Sequence, residues 1–224
     1  MKEFKARCSS LGALYTEPRL KSESVSETLK TYLNDWYLGE VFGVDTSISS
    51  KYTDKGLQLE DEAIAAYNTV FGTNYSKNDE YFEDDFITGT PDIIGDDEII
   101  DIKCSFSLSS FPLFESKLKN KNYLYQIQGY LRLTGKSKGK IAYVLLDTPE
   151  EIIIREAKSI MYKEKLPESF LDILIEEVRE SQTYSHIPIE KRIVIFDIDR
   201  DDTIIESMPE KVLKCRGYLE NLSI

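Results

Sequence analysis

The stretch that decides the fold runs from Gly89 to Lys103 and reads Gly-Thr-Pro-Asp-Ile-Ile-Gly-Asp-Asp-Glu-Ile-Ile-Asp-Ile-Lys. Two short apolar runs flank a Gly-Asp-Asp turn, a pattern that predicts two antiparallel strands joined by a tight turn. Asp92 stands at the end of the first strand, and Asp101 and Lys103 stand on the second. Two carboxylates and one amine at the ends of paired strands predict a metal-dependent hydrolytic site.

The chemistry of phosphodiester hydrolysis suits these residue types, because it requires charge neutralised on the phosphoryl oxygens and an activated water. Carboxylates are hard oxygen ligands for Mg²⁺ or Mn²⁺. We expect Asp92 and Asp101 to share one ion, with the carbonyl oxygen of Ile102 as a third ligand. Lys103 points to the same strand face as Asp101, so it can orient the attacking water or stabilise transition-state charge. The alternative is a hairpin with ordinary solvated charges, since Asp-x-Lys alone is common.

A helix predicted from about Tyr123 to Leu133 carries two further candidates, Gln126 and Tyr130. They are four residues apart and therefore share one helical face, where an amide and a hydroxyl can reach the same phosphate or the catalytic lysine. Gln128 is expected to face elsewhere. The alternative is a helix with surface polar groups and Tyr130 in the core.

The composition of the chain argues against several classes of protein and of metal site. With 224 residues and 41% hydrophobic composition, the chain can bury a core as one domain. Its apolar runs are far shorter than the ~20 residues of a membrane span, and its first residues show no signal core. Three cysteines without a Cys-x-x-Cys pair, and His186 as the single histidine, argue against a zinc ribbon, an iron–sulfur cluster and a His-rich metal site. We expect a soluble, cytoplasmic protein.

The net charge of −12 is unusual for a nucleic-acid-binding protein. Carboxylates that hold divalent cations make the formal charge too negative, however, and the lysines cluster. Candidate contacts to a DNA backbone are Lys119, Lys121, Lys136 and Lys138. Lysine-rich turns also serve simply as solubilising surface.

The rest of the chain divides into periodic segments separated by loops. Ser24 or Ser26 is expected to cap a helix that Gly39 or Gly43 ends, and a loop is predicted over residues 44–55. The remaining predicted elements are helices over 56–71, 168–182 and 209–222, with Pro209 in the first turn of the last, and strands over 80–87, 141–147 and 192–199.

Taken together, Gly-Thr-Pro-Asp and Ile-Asp-Ile-Lys-Cys-Ser resemble the metal site of the PD-(D/E)xK nucleases, with Asp101 in place of the commoner Glu. Tyr125 to Tyr130 resembles the Gln-containing helix of one branch, the phage lambda exonuclease or YqaJ-like viral recombinase group. Gly-Leu-Gln-Leu-Glu at 56–60 resembles that group's acidic helix, which implies Glu60 as a ligand of the metal or its water. The resemblance covers about 56–147 well.

The resemblance implies an α/β (α+β) fold with a restriction-endonuclease-like core, in which helices flank a mixed central sheet. The implied organisation is a single nuclease domain over 1–224, with an N-terminal helical region (1–55), a catalytic core (56–147) and supporting helices and a strand (148–224).

The implied activity is Mg²⁺-dependent exonuclease action, with one or two ions and Mn²⁺ as a substitute, on the ends of double-stranded DNA in phage-type recombination. Arg7, Ser9 and Ser10 are the nearest equivalents of the group's 5′-end contacts. The implied partners are DNA, a single-strand annealing protein and further copies of the chain in a trimer-like ring, with no membrane. The implied location is the cytoplasm of a bacterium or phage-infected host.

Three alternatives remain open. The first is an endonuclease or structure-specific nuclease of the same fold, and the second is a non-catalytic DNA-binding or assembly protein. The third, a phosphohydrolase acting on small nucleotides, is disfavoured because the sequence has no Gly-rich phosphate loop.

Overall fold

The computed structural model describes residues 2–20, 22–44 and 51–222, which contain seven strands and seven α-helices. The strands are β1 (Ala6–Arg7), β2 (Phe82–Glu83), β3 (Ile87–Gly89), β4 (Ile93–Ile94), β5 (Glu98–Cys104), β6 (Lys138–Val144) and β7 (Ile193–Asp199). The helices are α1 (Leu11–Leu14), α2 (Glu27–Phe42), α3 (Lys51–Phe71), α4 (Lys121–Thr134), α5 (Glu150–Lys163), α6 (Leu171–Ser181) and α7 (Asp202–Glu220).

A four-stranded mixed sheet, ordered β4-β5-β6-β7, forms the centre of the fold. β4 and β5 pair antiparallel with Ile93 opposite Ile100, which confirms the predicted hairpin. β6 runs parallel to β5, and β7 closes the sheet antiparallel to β6. The α/β class and the mixed sheet between helices agree with the prediction.

Two helices cover opposite faces of this sheet because side chains alternate along β5. On one face, Leu59 and Ile64 of α3 pack in a cluster with Ile100. On the other face, Ile127 of α4 packs in a cluster with Ile99. The polar residues Asp101 and Lys103 follow Ile99 at intervals of two, so they lie on the α4 face.

A second sheet, ordered β1-β3-β2, was not foreseen in this form. The predicted single strand over 80–87 is in fact two antiparallel strands, because Asp84 turns the chain: its Oδ1 accepts hydrogen bonds from the backbone N–H groups of Phe86 and Ile87. β1 pairs parallel to β3, so the N-terminal region is not purely helical. Two-residue strands carry too little periodicity to be read from sequence.

Helix ends follow the expected capping chemistry in α2 and α4. The Ser26 side chain accepts from the N–H of Leu29, and Gly43 ends α2 with a left-handed φ of 64°. Gly135 ends α4 with a φ of 71°. Both positions favour glycine because it has no Cβ to clash there.

The start of α3 differs from the prediction. The helix begins at Lys51 and not at Gly56, so the expected loop is wrong for residues 51–55. The part of that loop over residues 45–50 lies outside the described residues. The error arose because Gly56 was taken as a boundary, whereas it lies inside the helix.

The last helix also begins earlier than predicted, and Pro209 lies inside it and not in its first turn. Asp201 sets the start, since its side chain accepts from the N–H groups of Thr203 and Ile204. Proline cannot donate to the carbonyl four residues earlier, which belongs to Ile205. Arg132 Nη1 donates to that carbonyl at 3.3 Å, so the lost helical bond is replaced from α4.

Two elements of the fold depart from the prediction in the second half of the chain. β6 begins at Lys138, three residues before the strand predicted over 141–147. Helix α5 was not predicted; it packs on α6 in a separate apolar cluster that includes Ile153, Met161 and Leu174. Within the described ranges, no helix has the length and apolar character needed to cross a membrane.

Candidate active site

Asp101 is the centre of the candidate site. Its side chain is 1% exposed, although it belongs to a charged residue on a strand. Oδ1 accepts a hydrogen bond from Gln126 Nε2 at 2.8 Å. Oδ2 lies 2.6 Å from Lys103 Nζ but, among the described residues, has no hydrogen-bond partner of good geometry. Gln126 therefore fixes one oxygen of this carboxylate, and the other oxygen faces the Lys103 ammonium group.

Asp92 faces Asp101 across the hairpin, because the register that pairs Ile93 with Ile100 places the two aspartates opposite each other. Asp92 Oδ2 accepts from the N–H of Ile102 at 2.6 Å. Burial, and then the negative charge of Asp101, raise the pKa of Asp92 far above its ordinary range. The two carboxylates are thus held together at a cost that a bound cation would offset.

Lys103 supplies one positive charge to this pair. Burial lowers the pKa of the Lys103 amine, but the neighbouring carboxylates of Asp101 and Asp92 outweigh burial and raise it overall. The ammonium group also lies 4.9 Å from the centre of the Tyr123 ring. Lys103 is therefore a cation at neutral pH, suited to donating hydrogen bonds and not to accepting a proton.

Gln126 and Tyr130 are both buried on the inner face of α4, as their spacing predicted, but they serve Asp101 and not Lys103. Gln126 Nε2 donates to Asp101 Oδ1 and to the Tyr130 hydroxyl at 3.0 Å. Burial, and then the charge of Asp101, raise the pKa of Tyr130, so its hydroxyl stays protonated. Gln128 faces elsewhere, as expected, and bonds the backbone of Asp199 and Asp201.

Glu60 lies on α3 at the wall of the same cavity, but its carboxylate is paired with Lys77 Nζ at 3.0 Å. The next residue, Asn78, donates its backbone N–H to the carbonyl of Asp92. Residues 77–78 therefore bridge Glu60 and Asp92. In the described part of the chain, no three His, Cys, Asp or Glu side chains are gathered so as to hold an ion between them.

The side chains of the site open into a cavity of about 620 Å³. The predicted residues on its wall are Glu60, Asp92, Asp101, Ile102, Lys103 and Gln126. Tyr130 is not on the wall and acts from behind Gln126. The prediction missed further wall residues, which come from the first part of α3, the end of β5, the segment between β5 and α4, the first turn of α4 and the end of β6: Thr53, Gly56, Leu57, Cys104, Ser105, Phe106, Ser110, Asn120, Tyr123 and Tyr143.

A second cavity, of about 750 Å³, is lined by Arg7, Ser9, Gly89 and Tyr130 among others. A Cβ atom on Gly89 would lie 2.7 Å from the Tyr130 ring, so this glycine permits the close approach of β3 to α4. Ser10 does not belong to the lining of this cavity. The structure thus brings Arg7 and Ser9 together with Tyr130, whose hydroxyl accepts from Gln126.

The four candidate DNA-contacting lysines fall into two groups. Lys119 lies in the segment that leads into α4, and Lys121 is the first residue of that helix. Both flank Asn120 on the wall of the first cavity, although Lys119 is paired with Glu115. Lys136 donates to the carbonyl of Asp96, and Lys138 lies opposite Glu98, at the beginning of β5, in the register of β5 and β6. Because Lys103 lies near the other end of β5, the second pair is remote from the site.

Lys55 was missed by sequence reasoning, and its side chain binds the segments that follow β5 and β6 next to the site. Its side chain is fully buried and donates to the carbonyls of Phe106 and Leu146 and to the Thr148 hydroxyl at 2.8–3.0 Å. Burial lowers the pKa of Lys55 to about 8. This amine joins the start of α3 to the segment after β5. No local pattern distinguishes it from an exposed lysine.

The donor set of the cavity fits a divalent cation. Asp92 is half-buried and Asp101 is buried, and the single charge of Lys103 balances the pair. Asp101 Oδ2 lies 2.6 Å from that ammonium group but has no hydrogen bond of good geometry among the described residues. All the predicted ligand atoms are oxygens, the type that Mg²⁺ and Mn²⁺ prefer. The arrangement can hold a hard cation beside a protonated lysine.

No protein-family model matches the sequence, and neither does any curated protein. Solved structures do match. A phage-related exonuclease from Haemophilus somnus 129PT is 30% identical, with a TM-score of 0.78 over 99% of this chain and 96% of that one. An alkaline exonuclease from Laribacter hongkongensis is 16% identical, with a TM-score of 0.66 over 96% and 88% of the two chains. The same enzyme in complex with dAMP gives 17% identity and a TM-score of 0.63 over the same shares.

Proposed function

Because the chain belongs to the lambda exonuclease and YqaJ-like group of the PD-(D/E)xK nucleases, we propose that it is a Mg²⁺-dependent DNA exonuclease. The nuclease assignment follows from the structural relatives. Metal dependence, action at DNA ends and the identities of the catalytic residues are the parts that we add.

The observation that carries the proposal is the carboxylate pair of Asp92, which is half-buried, and Asp101, which is buried. The two face each other beside Lys103 in an open cavity, and burial, followed by the negative charge of Asp101, raises the pKa of Asp92. Two carboxylates that share one positive charge away from solvent carry an energetic cost that a bound cation would offset. Such shifted groups are typical of functional sites.

The chain's own residues would divide the reaction between them. Asp92 and Asp101 would hold the ion, with the carbonyl of Ile102 as a third ligand and Glu60 reaching it directly or through water. Bound Mg²⁺ would neutralise phosphoryl oxygens and lower the pKa of water. Lys103 would donate a hydrogen bond from Nζ to the attacking water or to a phosphoryl oxygen. Gln126 would keep Asp101 in position.

The substrate that we propose is a double-stranded DNA end, which the enzyme resects to leave a single strand for phage-type recombination. The Haemophilus somnus relative is a phage-related exonuclease, which supports this role. A ring of identical chains and a single-strand annealing protein as partner belong to the same proposal and rest on family resemblance alone.

The test compares a linear duplex with a covalently closed circle of the same sequence, in Mg²⁺ and in chelator. We expect the linear DNA to be degraded from its ends only with Mg²⁺, and the circle to remain intact. Asp101→Asn and Lys103→Met should lose cleavage and keep DNA binding. Cleavage of the closed circle would overturn the exonuclease assignment, and full activity of Asp101→Asn would remove the proposed site.

A further inference from the structure

The segment between β5 and α4, residues 105–120, presents an exposed aromatic ring next to the candidate site. We call this segment the rim segment. Phe114 is 94% exposed, and Leu108 and Leu113 are 47% and 44% exposed. Phe111, three residues before Phe114, is 6% exposed and packs with Leu145 and Tyr184. The rim segment therefore buries one phenylalanine and leaves the other in solvent.

The exposed position of Phe114 is held by ordered structure on both sides. The backbone N–H of Leu113 donates to the carbonyl of Phe111 at 2.9 Å, and the N–H of Glu115 donates to the carbonyl of Pro112 at 3.1 Å. Lys55 holds the carbonyl of Phe106 at the start of the segment. The backbone that carries the ring is therefore already ordered, so a ligand that binds the ring does not have to order this backbone.

The rim segment is continuous with the candidate active site. Ser105, Phe106 and Ser110 near its start, and Asn120 at its end, all line the cavity that contains Asp101. Phe114 lies on the turn between these two parts of the wall. A strand leaving or entering the cavity over this wall would therefore pass the ring.

The charge of this region is opposite to that of the whole chain. The chain carries a net charge of −12, but residues 105–121 contain Lys117, Lys119 and Lys121 and a single acidic residue, Glu115. Glu115 is paired with Lys119, so Lys117 and Lys121 carry the excess charge. An exposed aromatic ring beside cations is the combination that binds single-stranded nucleic acid, through stacking on a base and neutralisation of phosphates.

We propose that Phe114 is a stacking platform for an unpaired base of the DNA strand that occupies the cavity, and that Lys117 and Lys121 contact the phosphates next to that base. The base must be unpaired or terminal, because both faces of a base inside a duplex are covered by its neighbours. This proposal rests on the proposed function in taking DNA as the ligand, but it concerns binding and not cleavage.

The test measures binding of fluorescent single-stranded oligonucleotides to Asp101→Asn protein in chelator, with and without Phe114→Ala. We expect Phe114→Ala to weaken binding about tenfold and Phe114→Trp to retain it, since stacking survives with a larger ring. Tyr162→Ala, at a tyrosine 75% exposed on α5, is the matched control and should bind as the parent does.

Oligonucleotides with one abasic site, moved stepwise along the strand, identify the stacked base. In the parent, an abasic site at one position should weaken binding strongly. In Phe114→Ala, an abasic site at that position should weaken binding no further. Additive losses, or unchanged binding by Phe114→Ala, would overturn the proposal and leave the ring free for a protein partner. Cleavage of linear DNA by the wild-type protein without this binding pattern would count against the role of Phe114 alone. The expected binding pattern in a wild-type protein that does not cleave DNA would count against the proposed function alone.

Discussion

At the scale of single residues, the site depends on how Asp101 is held. A carboxylate that is 1% exposed requires partners for both oxygens. Gln126 fixes Oδ1, which orients Oδ2 towards Asp92 and Lys103. A residue that positions a ligand through a hydrogen bond is typically worth ten- to a hundredfold in metal affinity or activity.

We expect Gln126→Leu to lower kcat about ten- to a hundredfold and to leave KM for DNA nearly unchanged, because Asp101 loses orientation while the DNA surface stays intact. Steady-state cleavage of a linear duplex measures both constants. Gln128→Leu is the matched control, since Gln128 is also buried on the same helix but bonds only the backbone of Asp199, at the end of β7, and of Asp201, just before α7.

Gln128→Leu should lower the free energy of unfolding and keep kcat. If both variants lose activity in parallel with stability, Gln126 has only a structural role. Rescue of kcat by raised Mg²⁺ in Gln126→Leu would agree with its effect on Asp101.

At the scale of elements, Lys55 connects α3, the rim segment and the end of β6. Its amine donates to three oxygens, on Phe106, Leu146 and Thr148, in a site without exposure to solvent. These bonds keep the start of α3, which carries the cavity residues Gly56 and Leu57, against the segment after β5. The wall of the cavity therefore depends on a residue outside it.

Lys55→Met should lower the free energy of unfolding by about 2–4 kcal/mol near pH 7, because three buried acceptors lose their donor. Burial lowers the pKa of Lys55 to about 8 from its ordinary 10.5. Between these values the unfolded chain binds one more proton than the folded chain, so this group's contribution to stability rises with pH.

The difference in unfolding free energy between wild type and Lys55→Met should therefore widen from about pH 7 to about pH 9.5. Urea denaturation at the two pH values measures it. Lys163→Met, at an exposed lysine of α5, is the control and should give a small difference that does not change with pH. If the difference in unfolding free energy narrows with rising pH, Lys55 keeps its proton in the folded protein.

At the scale of the whole molecule, the chain reconciles a net charge of −12 with an anionic ligand by distributing its charges unevenly. The lysines of the rim segment and of the first turn of α4 lie beside the site cavity, whereas Lys136 and Lys138 lie at the far end of β5. Affinity for DNA should depend on the first group, since phosphate neutralisation is local.

We expect Lys121→Gln to reduce the slope of log K against log salt concentration for duplex DNA by about 0.9, the change for one lost phosphate contact. Lys138→Gln removes a similarly exposed lysine at the other end of the sheet and should leave the slope unchanged. Fluorescence anisotropy over a salt series measures both. Equal reductions would mean that the DNA path also crosses the turn before β6.

Much of the site was predictable because its determinants are local. The alternation of β5 places Asp101 and Lys103 on one face, the tight turn sets Asp92 opposite Asp101, and four-residue spacing places Gln126 and Tyr130 together on α4. The errors are also local in origin. Lys51–Lys55 were placed in a loop because Gly56 was taken to begin the helix, and Pro209 was placed in a first turn because a proline inside a helix is rare.

The sequence by itself therefore determined the central hairpin and the helices that carry the acidic and amide groups, since strand and helix periodicity act over a few residues. Only the tertiary structure decided which partner each group meets. It paired Gln126 with Asp101 and Glu60 with Lys77, buried Lys55 beneath the rim segment and separated the two groups of lysines. These contacts join residues far apart in the chain, and packing selects them from many that are equally compatible with local pattern.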